Sequence, residues 1–546
     1  MSTATEAISV NVVRTGAADY RRAIVLAFIF SGLFTLAGLL ARPSMSHDAA
    51  WGMQELRTLR GGGPINSIIS PDPADISRDR VNHVTWWSPG QYLIPGALTL
   101  LGLRLGVALT LTAGVSLLCC LLGWIQFAKY FALGPAIATL LVLFIATFRY
   151  STLPFGIYNG GEIILQGVTP WLFLWGCRVP STSFFRAAGL VLIATWISFF
   201  AKLTGLIVIG AILTAAGIEA IVRLRRFTAG MQGGVVGGIL ALGSLYVAWF
   251  AHGTTPASGT GWSFHPAYVF FALGAPWGAG ISWTDMLTSI LFNARHPLLR
   301  GAFWNGDLSV LLCLLLPPLI LFGTVIVKGW QQYAGDKNLR RLLVISGGVY
   351  AFSAIVMSVI FAHGGDVSLE ERHLRASGML VFAVVLAVAS RLPRYSASRL
   401  AIGALFGLMS LYGLLAFGFR VWSTNRAGID RYSSTYQASV DESGIEFLRT
   451  EFAKEGRNAL FVVPSPEVVS TFPPGARILS NHLEFDTEET IAAQIYRGRV
   501  LGPLYIIMPT RTAETTKGLL VLQEFKDYFP DAWEKRSFGN STVFVQ

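Results

Sequence analysis

Charged residues are scarce in this chain of 546 residues. Only 13% of them are Asp, Glu, Lys or Arg, whereas 53% are hydrophobic and the mean hydropathy is +0.54. A soluble globular protein carries about 25% charged residues, so this composition excludes an ordinary soluble enzyme. It predicts a polytopic α-helical membrane protein.

Cysteine is rare, and several catalytic motifs are missing. The four cysteines lie in apolar runs and suggest neither a disulfide framework nor a thiolate metal site; they are Cys119, Cys120, Cys177 and Cys313. The sequence has no HExxH and no GxSxG, and its last 125 residues have no P-loop and no GxGxxG followed by an acid. Metalloprotease, serine hydrolase and nucleotide-binding functions therefore have no support. We expect neither a metal ion nor an organic cofactor.

The basic excess lies in the hydrophobic part of the chain. The formal net charge is +11, but residues 1–421 contain 29 Lys or Arg and 15 Asp or Glu, whereas residues 422–546 contain 13 and 16. Positive charge in the short loops of a membrane protein marks its cytoplasmic side. The charge therefore indicates contact with membrane lipid and no nucleic-acid partner.

Apolar runs predict about eleven transmembrane helices, of which the first is long enough to be a retained signal anchor. The predicted spans are 22–41, 104–127, 131–148, 162–177, 187–202, 203–222, 232–251, 308–327, 342–362, 374–390 and 400–421. With the N-terminus inside, every cytoplasmic connection carries Lys or Arg, for example Lys129, Arg178 and Arg340. An odd number of spans then places the C-terminus outside.

This layout divides the chain into a cytoplasmic N-terminus (1–21), a transmembrane domain (22–421) in the inner, or plasma, membrane, and an extracytoplasmic domain (422–546). The first outer loop is large, 42–103. Its closing segment, WWSPGQYLIPGALTLLG, is short and broken by proline, as in an interfacial or re-entrant segment.

The C-terminal domain has the composition of a soluble protein. NALFVVP and PLYIIMP are typical of buried strands, and STVFVQ of a closing strand. DESGIEFLRTEFAKEG and TTKGLLVLQEFKDYF are typical of amphipathic helices. The alternation predicts a small α/β domain.

Basic residues stand at the outer ends of predicted spans, against the positive-inside trend: Arg104, Arg149, Lys202, Arg372 and Arg375. Each could simply extend to the lipid headgroups. Together they indicate an anionic group held at the outer leaflet, because Arg and Lys pair with phosphate through charge-assisted hydrogen bonds. Lys202 is the most informative, since it interrupts the apolar stretch WISFFAKLTGLIVIG.

Acidic residues lie at the same outer boundary. Asp48 follows the first predicted span, Glu162 opens the fourth, and Glu370 and Glu371 precede the tenth. A carboxylate in reach of a substrate can serve as a general base. Two alternatives stay open, because Glu162 could instead cap a helix N-terminus and Asp48 could be a solvated loop residue.

These stretches resemble those of the GT-C superfamily of integral-membrane glycosyltransferases, in particular the branch with protein O-mannosyltransferases and lipid A aminoarabinose transferases. MSHDAAWGMQELRTLRGG is similar to the acidic stretch that opens their first outer loop, and HVTWWSPGQYLIPGAL to the aromatic segment that closes it. FFAKLTGLIVI resembles their intramembrane lysine segment, and EERHLRASGML the stretch that opens a late span. The resemblance covers about residues 1–390.

The resemblance implies transfer of a sugar from a polyprenyl-phosphate-linked donor to a glycan, lipid or protein acceptor on the outer, periplasmic face. Asp48 would be the catalytic base, and Glu162 would orient the base or the acceptor. A lipid-linked donor requires neither a nucleotide-binding domain nor a metal ion, in agreement with the missing motifs.

The same resemblance gives the basic residues a role. Lys202 and Arg372 would hold the phosphate of the donor, joined by His373 or Arg149, and would stabilise the departing lipid phosphate. Acceptor contacts would come from residues of the first outer loop, namely His83, Trp87 and Tyr92.

Two other functions share some of these features. A transporter or flippase of a lipid-linked anionic substrate would also need many spans and charge within the membrane, but no paired half-repeats are found and a large outer loop and tail are unusual for one. A polysaccharide ligase or polymerase would use the same donor class on the same face.

The predicted topology is tested by reporter fusions after Arg226, after Arg341 and at Gln546. We expect cytoplasmic signals from the first two and an extracytoplasmic signal from the third, because of the Lys/Arg distribution. A cytoplasmic signal at Gln546 would place Asp48, Glu162 and Lys202 on the wrong side for the proposed chemistry.

Overall fold

The computed structural model describes residues 20–253, 266–292, 308–333, 335–363, 369–427, 435, 440–481, 483 and 486–546. In this part of the chain a bundle of helices is followed by a five-stranded sheet. The helices up to residue 427 are α1 (Arg21–Leu40), α2 (His47–Arg60), α3 (Gly90–Leu100), α4 (Leu105–Tyr130), α5 (Pro135–Thr147), α6 (Arg149–Thr152), α7 (Gly161–Arg178), α8 (Phe184–Ala201), α9 (Gly205–Leu224), α10 (Ala229–Ala248), α11 (Pro266–Ala279), α12 (Trp283–Phe292), α13 (Leu308–Tyr333), α14 (Lys337–Ala362), α15 (Arg375–Ala389) and α16 (Ala397–Ala427).

The chain is a multi-pass membrane protein, with a helix at each of the eleven predicted positions. Among the described residues, eight helices are long and apolar enough to cross a membrane. A ninth is formed if Pro135–Thr147 and Arg149–Phe155, bent by 62° at Phe148, make one span. The number of eleven spans stays a prediction.

The predicted spans 232–251 and 308–327 leave residues 252–307 as an outer connection, but part of this segment is helical. α11 packs against α13, α14 and α15 and buries Phe271, Ala272 and Ala275. Its small residues permit this close packing, since interfaces between membrane helices favour small side chains. The helix is only 14 residues long and contains Pro276, so its hydropathy does not predict a transmembrane span.

α15 lies at the centre of the bundle. Fourteen of its 15 residues are buried, so that helices surround it on all sides. A helix that is apolar around its whole circumference suits such a position. The turn that precedes it, Glu371–His373, contacts α11 and α15 and buries Glu371.

The first outer loop folds into regular structure. Between α2 and α3 lie the antiparallel strands β2 (Ser67–Asp72) and β3 (Asp75–His83), while the two-residue strands β1 (Ser44–Met45) and β4 (Ile157–Tyr158) pair in parallel. The 11 residues of α3 extend about 16 Å, roughly half of the ~30 Å hydrocarbon core. The prediction of a segment that does not cross the membrane agrees with this length.

The C-terminal domain is built on a sheet in the order β6-β5-β7-β9-β8. β5 pairs in parallel with β6 and β7, and β9 pairs antiparallel with β7 and β8. The strands are β5 (Leu460–Val463), β6 (Arg477–Ser480), β7 (Leu504–Pro509), β8 (Glu534–Phe538) and β9 (Ser541–Val545). The helices are α17 (Glu442–Glu455), α18 (Pro466–Val469), α19 (Glu488–Ala493), α20 (Thr510–Ala513) and α21 (Thr516–Gln523). The α/β character predicted for this region is confirmed.

Helices cover both faces of this sheet. Alternate residues of β5 point to opposite sides, so Phe461 joins the core beneath α17 and Val462 joins the core beneath α21. The second core also includes Ile76 of β3, which is fully buried there. The first outer loop thus completes the hydrophobic core of the C-terminal domain.

One buried carboxyl group makes the stability of this domain sensitive to pH. Glu524 is 2% exposed; one side-chain oxygen accepts a hydrogen bond from Asn481 Nδ2 at 3.2 Å, and the other has no partner among the described residues. Burial raises the pKa of Glu524 to about 8. The folded state binds this proton more tightly than the unfolded state. The stabilisation that comes from keeping Glu524 protonated is therefore fully present below pH ~4.5 and is lost as pH rises through ~8.

We expect Glu524→Gln to stabilise the C-terminal domain at alkaline pH, by on the order of 4 kcal/mol at pH 8, since the amide cannot ionise. Thermal melting of the full chain between pH 5 and pH 9 measures the effect. The control is Glu488→Gln, at an exposed position. A melting temperature whose pH dependence is the same in Glu524→Gln and wild type would contradict this account.

Candidate active site

Asp48 and Glu162 are brought together by the pairing of β1 with β4. Ser44 is in register with Ile157, and the Ser46 N–H donates to the Tyr158 carbonyl at 2.9 Å. α2 begins immediately afterwards, with the Ser46 hydroxyl as its N-cap. Asp48 therefore lies in the first turn of α2, close to the start of α7.

Lys202 enters the same site through a break between two helices. Its backbone is extended (φ −164°, ψ 144°), which ends α8, and α9 begins three residues later. Gly161 allows this approach, because a Cβ there would lie 2.4 Å from the Ala201 carbonyl oxygen and 3.2 Å from the Lys202 Cβ. The neighbouring Gly160 has a positive φ of 64°, a conformation that favours glycine.

The site is an ion network centred on Arg372. Its Nη1 lies 2.6 Å from Asp48 Oδ2 and 3.2 Å from Glu162 Oε1, and its Nε lies 2.6 Å from Glu370 Oε2. Lys202 Nζ forms a second ion pair with Glu162 Oε1. Two cations thus face three carboxylates, which come from distant parts of the chain.

The members of this network differ in burial. The side chain of Glu162 is 5% exposed, whereas that of Asp48 is 36% exposed. Burial alone would lower the pKa of Arg372, but the carboxylates of Glu162, Glu370 and Asp48 outweigh it and raise that pKa above its usual value. Arg372 therefore remains a fixed positive charge with two partly exposed partners, Asp48 and Glu370, the latter 30% exposed.

His373 follows Arg372 and is neutral. Burial lowers its pKa well below the usual range, and the charges of Lys202 and Arg372 lower it further. Both ring nitrogens are shielded from solvent and have no hydrogen-bond partner among the described residues. Such groups are costly unless a ligand or water satisfies them, so His373 is available to bind a polar ligand beside the two cations.

Glu371 is chemically different from Glu370. It is 1% exposed and accepts a hydrogen bond from the Thr284 N–H at 2.9 Å, at the start of α12. Burial, and then the nearby Asp285 carboxylate, raise its pKa well above the usual range. Glu371 is therefore a neutral, structural acid, and Asp48, Glu162 and Glu370 remain the carboxylates that face the cations.

Arg149 lies in a neighbouring cluster rather than in the network. Its Nη1 donates to the Asp285 carbonyl at 3.2 Å and to the Ser289 hydroxyl at 3.1 Å, and its guanidinium lies over the Tyr412 ring. Arg375, which lines the same cavity as Lys202 and Arg372, pairs with the Asp285 carboxylate of this cluster at 3.3 Å. No contact with Lys202 or Arg372 is seen for Arg149 in the described part of the chain, and its role at the phosphate stays a prediction.

The three residues expected to contact an acceptor have different surroundings. Trp87 stacks with Trp51 of α2 at 5.8 Å between ring centroids, one turn after Asp48. His83 packs edge-on against Trp249 at 5.6 Å. Tyr92 is fully buried and its hydroxyl donates to Asn66 Oδ1 at 3.0 Å, so its position is that of a core residue.

A narrow cavity of about 20 Å³ opens beside the network and extends between α7, α9 and α15. That volume is enough for about one water molecule. Its polar lining includes Arg375, one of the outer basic residues noted in the sequence, and two residues that the sequence did not single out, Gln166 and Thr169. Glu162, Gln166 and Thr169 follow each other at helical spacing, which is the pattern that could have revealed them.

No group of three or more His, Cys, Asp or Glu side chains suitable for a metal ion occurs among the described residues. The site itself offers carboxylates, fixed cations and a neutral imidazole. Fixed positive charge next to a carboxylate suits binding of a phosphate group beside a general base.

The helices and the sheet domain together have the fold of ArnT. In particular, the chain is similar to the crystal structure of ArnT from Cupriavidus metallidurans bound to undecaprenyl phosphate, with a TM-score of 0.53 and 11% identity over 96% of this chain and 97% of that chain. The apo form of the same protein gives a TM-score of 0.49 and 12% identity with the same coverage. No protein-family model and no curated protein matches the sequence.

Proposed function

We propose that this protein is an inner-membrane glycosyltransferase that uses a polyprenyl-phosphate-linked sugar and acts at the outer face of the membrane. The observation that carries the proposal is the contact of Arg372 with both Asp48 and Glu162, which lie in the first turns of α2 and α7. The bound undecaprenyl phosphate of the similar ArnT structure supports the donor class.

Arg372 and Lys202, with His373, would bind the phosphate of the donor. A phosphate oxygen competes with the Asp48 carboxylate for the guanidinium, because both are anions that Arg binds through charge-assisted hydrogen bonds. We expect the phosphate to displace Asp48 first, since Asp48 is the most exposed of the three carboxylates on Arg372, at 36% against 30% for Glu370 and 5% for Glu162. Donor binding would thus release the base at the moment when it is needed.

In the transfer step Asp48 takes the proton from a hydroxyl or amine of the acceptor. The acceptor atom attacks the anomeric carbon of the sugar, and the bond from that carbon to the phosphate oxygen breaks. The electron pair leaves with polyprenyl phosphate, whose negative charge Arg372 and Lys202 stabilise. Glu162, held between both cations, would keep them in place for this step.

Lys202→Met should weaken the binding of undecaprenyl phosphate by about ten-fold or more, since one charged hydrogen bond to a phosphate is lost. Native mass spectrometry of the purified full chain measures this affinity. The matched control is Lys328→Met, an exposed lysine that contacts Ser398. Equal affinity of Lys202→Met and wild type would remove Lys202 from the phosphate site.

Asp48→Asn should lose turnover by about 10²- to 10⁴-fold while it still binds undecaprenyl phosphate, because the amide keeps the size of the side chain but cannot accept the proton. Glu162→Gln should cost less, because its role is orientation. Turnover is measured with a panel of undecaprenyl-phosphate-linked hexoses and aminopentoses.

The two variants also test the assignment of roles. If Asp48→Asn retains turnover and Glu162→Gln is inactive, the roles of the two acids are reversed. If both remain active, neither carboxylate is the base. If the wild type transfers no sugar from any lipid-linked donor while it moves such donors between leaflets of a vesicle, the chain is a flippase.

A further inference from the structure

α2, which carries Asp48, lies between the membrane helices and the C-terminal domain. On one side Ala49, Met53 and Leu56 belong to the large hydrophobic core of the bundle. Gly52 lies against the Gln91 side chain of α3, where a Cβ would be 2.9 Å from its amide nitrogen. The side of α2 toward the membrane is thus closely packed.

The other side of α2 contacts the C-terminal domain at both ends. At its start, His47 Nδ1 lies 3.1 Å from Glu467 Oε1 of α18, and both side chains are largely shielded from solvent. In its last turn, Arg57 Nε donates to the Pro473 carbonyl at 3.2 Å, and its Nη2 donates to the Ala476 carbonyl. These contacts join positions more than 400 residues apart in the chain.

The hairpin that follows α2 is attached to the same domain. Arg477 Nε donates to Asp79 Oδ1 at 2.8 Å, and the Ile76 N–H donates to the Arg497 carbonyl at 2.8 Å. Ile76 itself is buried in the core of the C-terminal domain. The first outer loop is therefore fixed at three separate places along its length.

We propose that the C-terminal domain positions the catalytic base, with Glu467 as the positioning residue that acts on Asp48 through His47. This inference rests on the proposed function of Asp48. His47 and Asp48 are adjacent in the first turn of α2, so the contact with Glu467 on one side and the contact with Arg372 on the other fix the turn between them.

The exposure of Asp48 explains why such a contact is needed. Once a donor phosphate takes the place of Asp48 at Arg372, the first turn of α2 loses its ion pair to the membrane domain. The Glu467–His47 contact then keeps this turn, and with it Asp48, in position to react with an acceptor. A misplacement of about 1 Å can cost about 10²-fold in rate. The C-terminal domain would thus act in catalysis without touching the reacting atoms.

The experiment compares Glu467→Ala, Glu467→Gln and the control Glu488→Ala in the full chain. Glu467→Ala should lower kcat by about ten-fold or more without weakening undecaprenyl phosphate binding. Glu467→Gln keeps an oxygen that accepts from His47 and should retain most of the activity. Glu488 is exposed on α19, so its loss should change neither quantity.

Hydrogen exchange of residues 46–56 gives a readout that does not depend on activity. It should be faster in Glu467→Ala than in wild type and Glu488→Ala, while the β5 and β7 amides keep their protection. His47→Ala, which leaves the C-terminal domain unchanged, should reproduce both effects if Glu467→Ala fails to fold.

Normal kcat and normal exchange in Glu467→Ala or His47→Ala would overturn the inference. So would equal loss of activity in Glu467→Gln and Glu467→Ala together with lost protection of the sheet, since that pattern indicates a role in folding alone. Faster exchange at α2 in a chain whose Asp48→Asn variant is fully active would support the contact but refute the proposed base.

Discussion

The site depends on the ion pairs through which Arg372 bridges three carboxylates. One guanidinium contacts carboxylates from the starts of α2 and α7 and from the turn before α15, and Glu162 shares a second ion pair with Lys202. A nearly buried carboxylate such as Glu162 is costly unless it is paired. The network therefore offsets the cost of burying Glu162 at the point where an anionic substrate would bind.

The surrounding fold determines where these charges can meet. The burial of α15 fixes the turn that holds Arg372 and His373, the β1–β4 pairing fixes Asp48, and Gly161 admits Lys202. Contacts with the C-terminal domain then restrain α2 from outside. Each of these features is local, but together they bring into contact segments that are more than 300 residues apart in the chain, such as those of Asp48 and Arg372.

The sequence predicted the class of the fold, because the hydropathy and positive charge of short segments determine which of them insert into the membrane and in which orientation. It also predicted Asp48, Glu162, Lys202 and Arg372 as chemically important, since each interrupts or borders an apolar run; the structure places these four in contact, while their roles stay proposals. It did not predict the separation of Arg149 from the network or the burial of Tyr92, which depend on long-range packing. The helix at 266–279 was missed because its 14 residues are too few for a span.

A structure of the protein with undecaprenyl phosphate bound tests the central claim most directly. The account predicts that the phosphate lies within hydrogen-bond distance of Arg372 and Lys202, and that the 2.6 Å contact between Arg372 and Asp48 has opened. Phosphate bound elsewhere, with the Arg372 network intact, would contradict it.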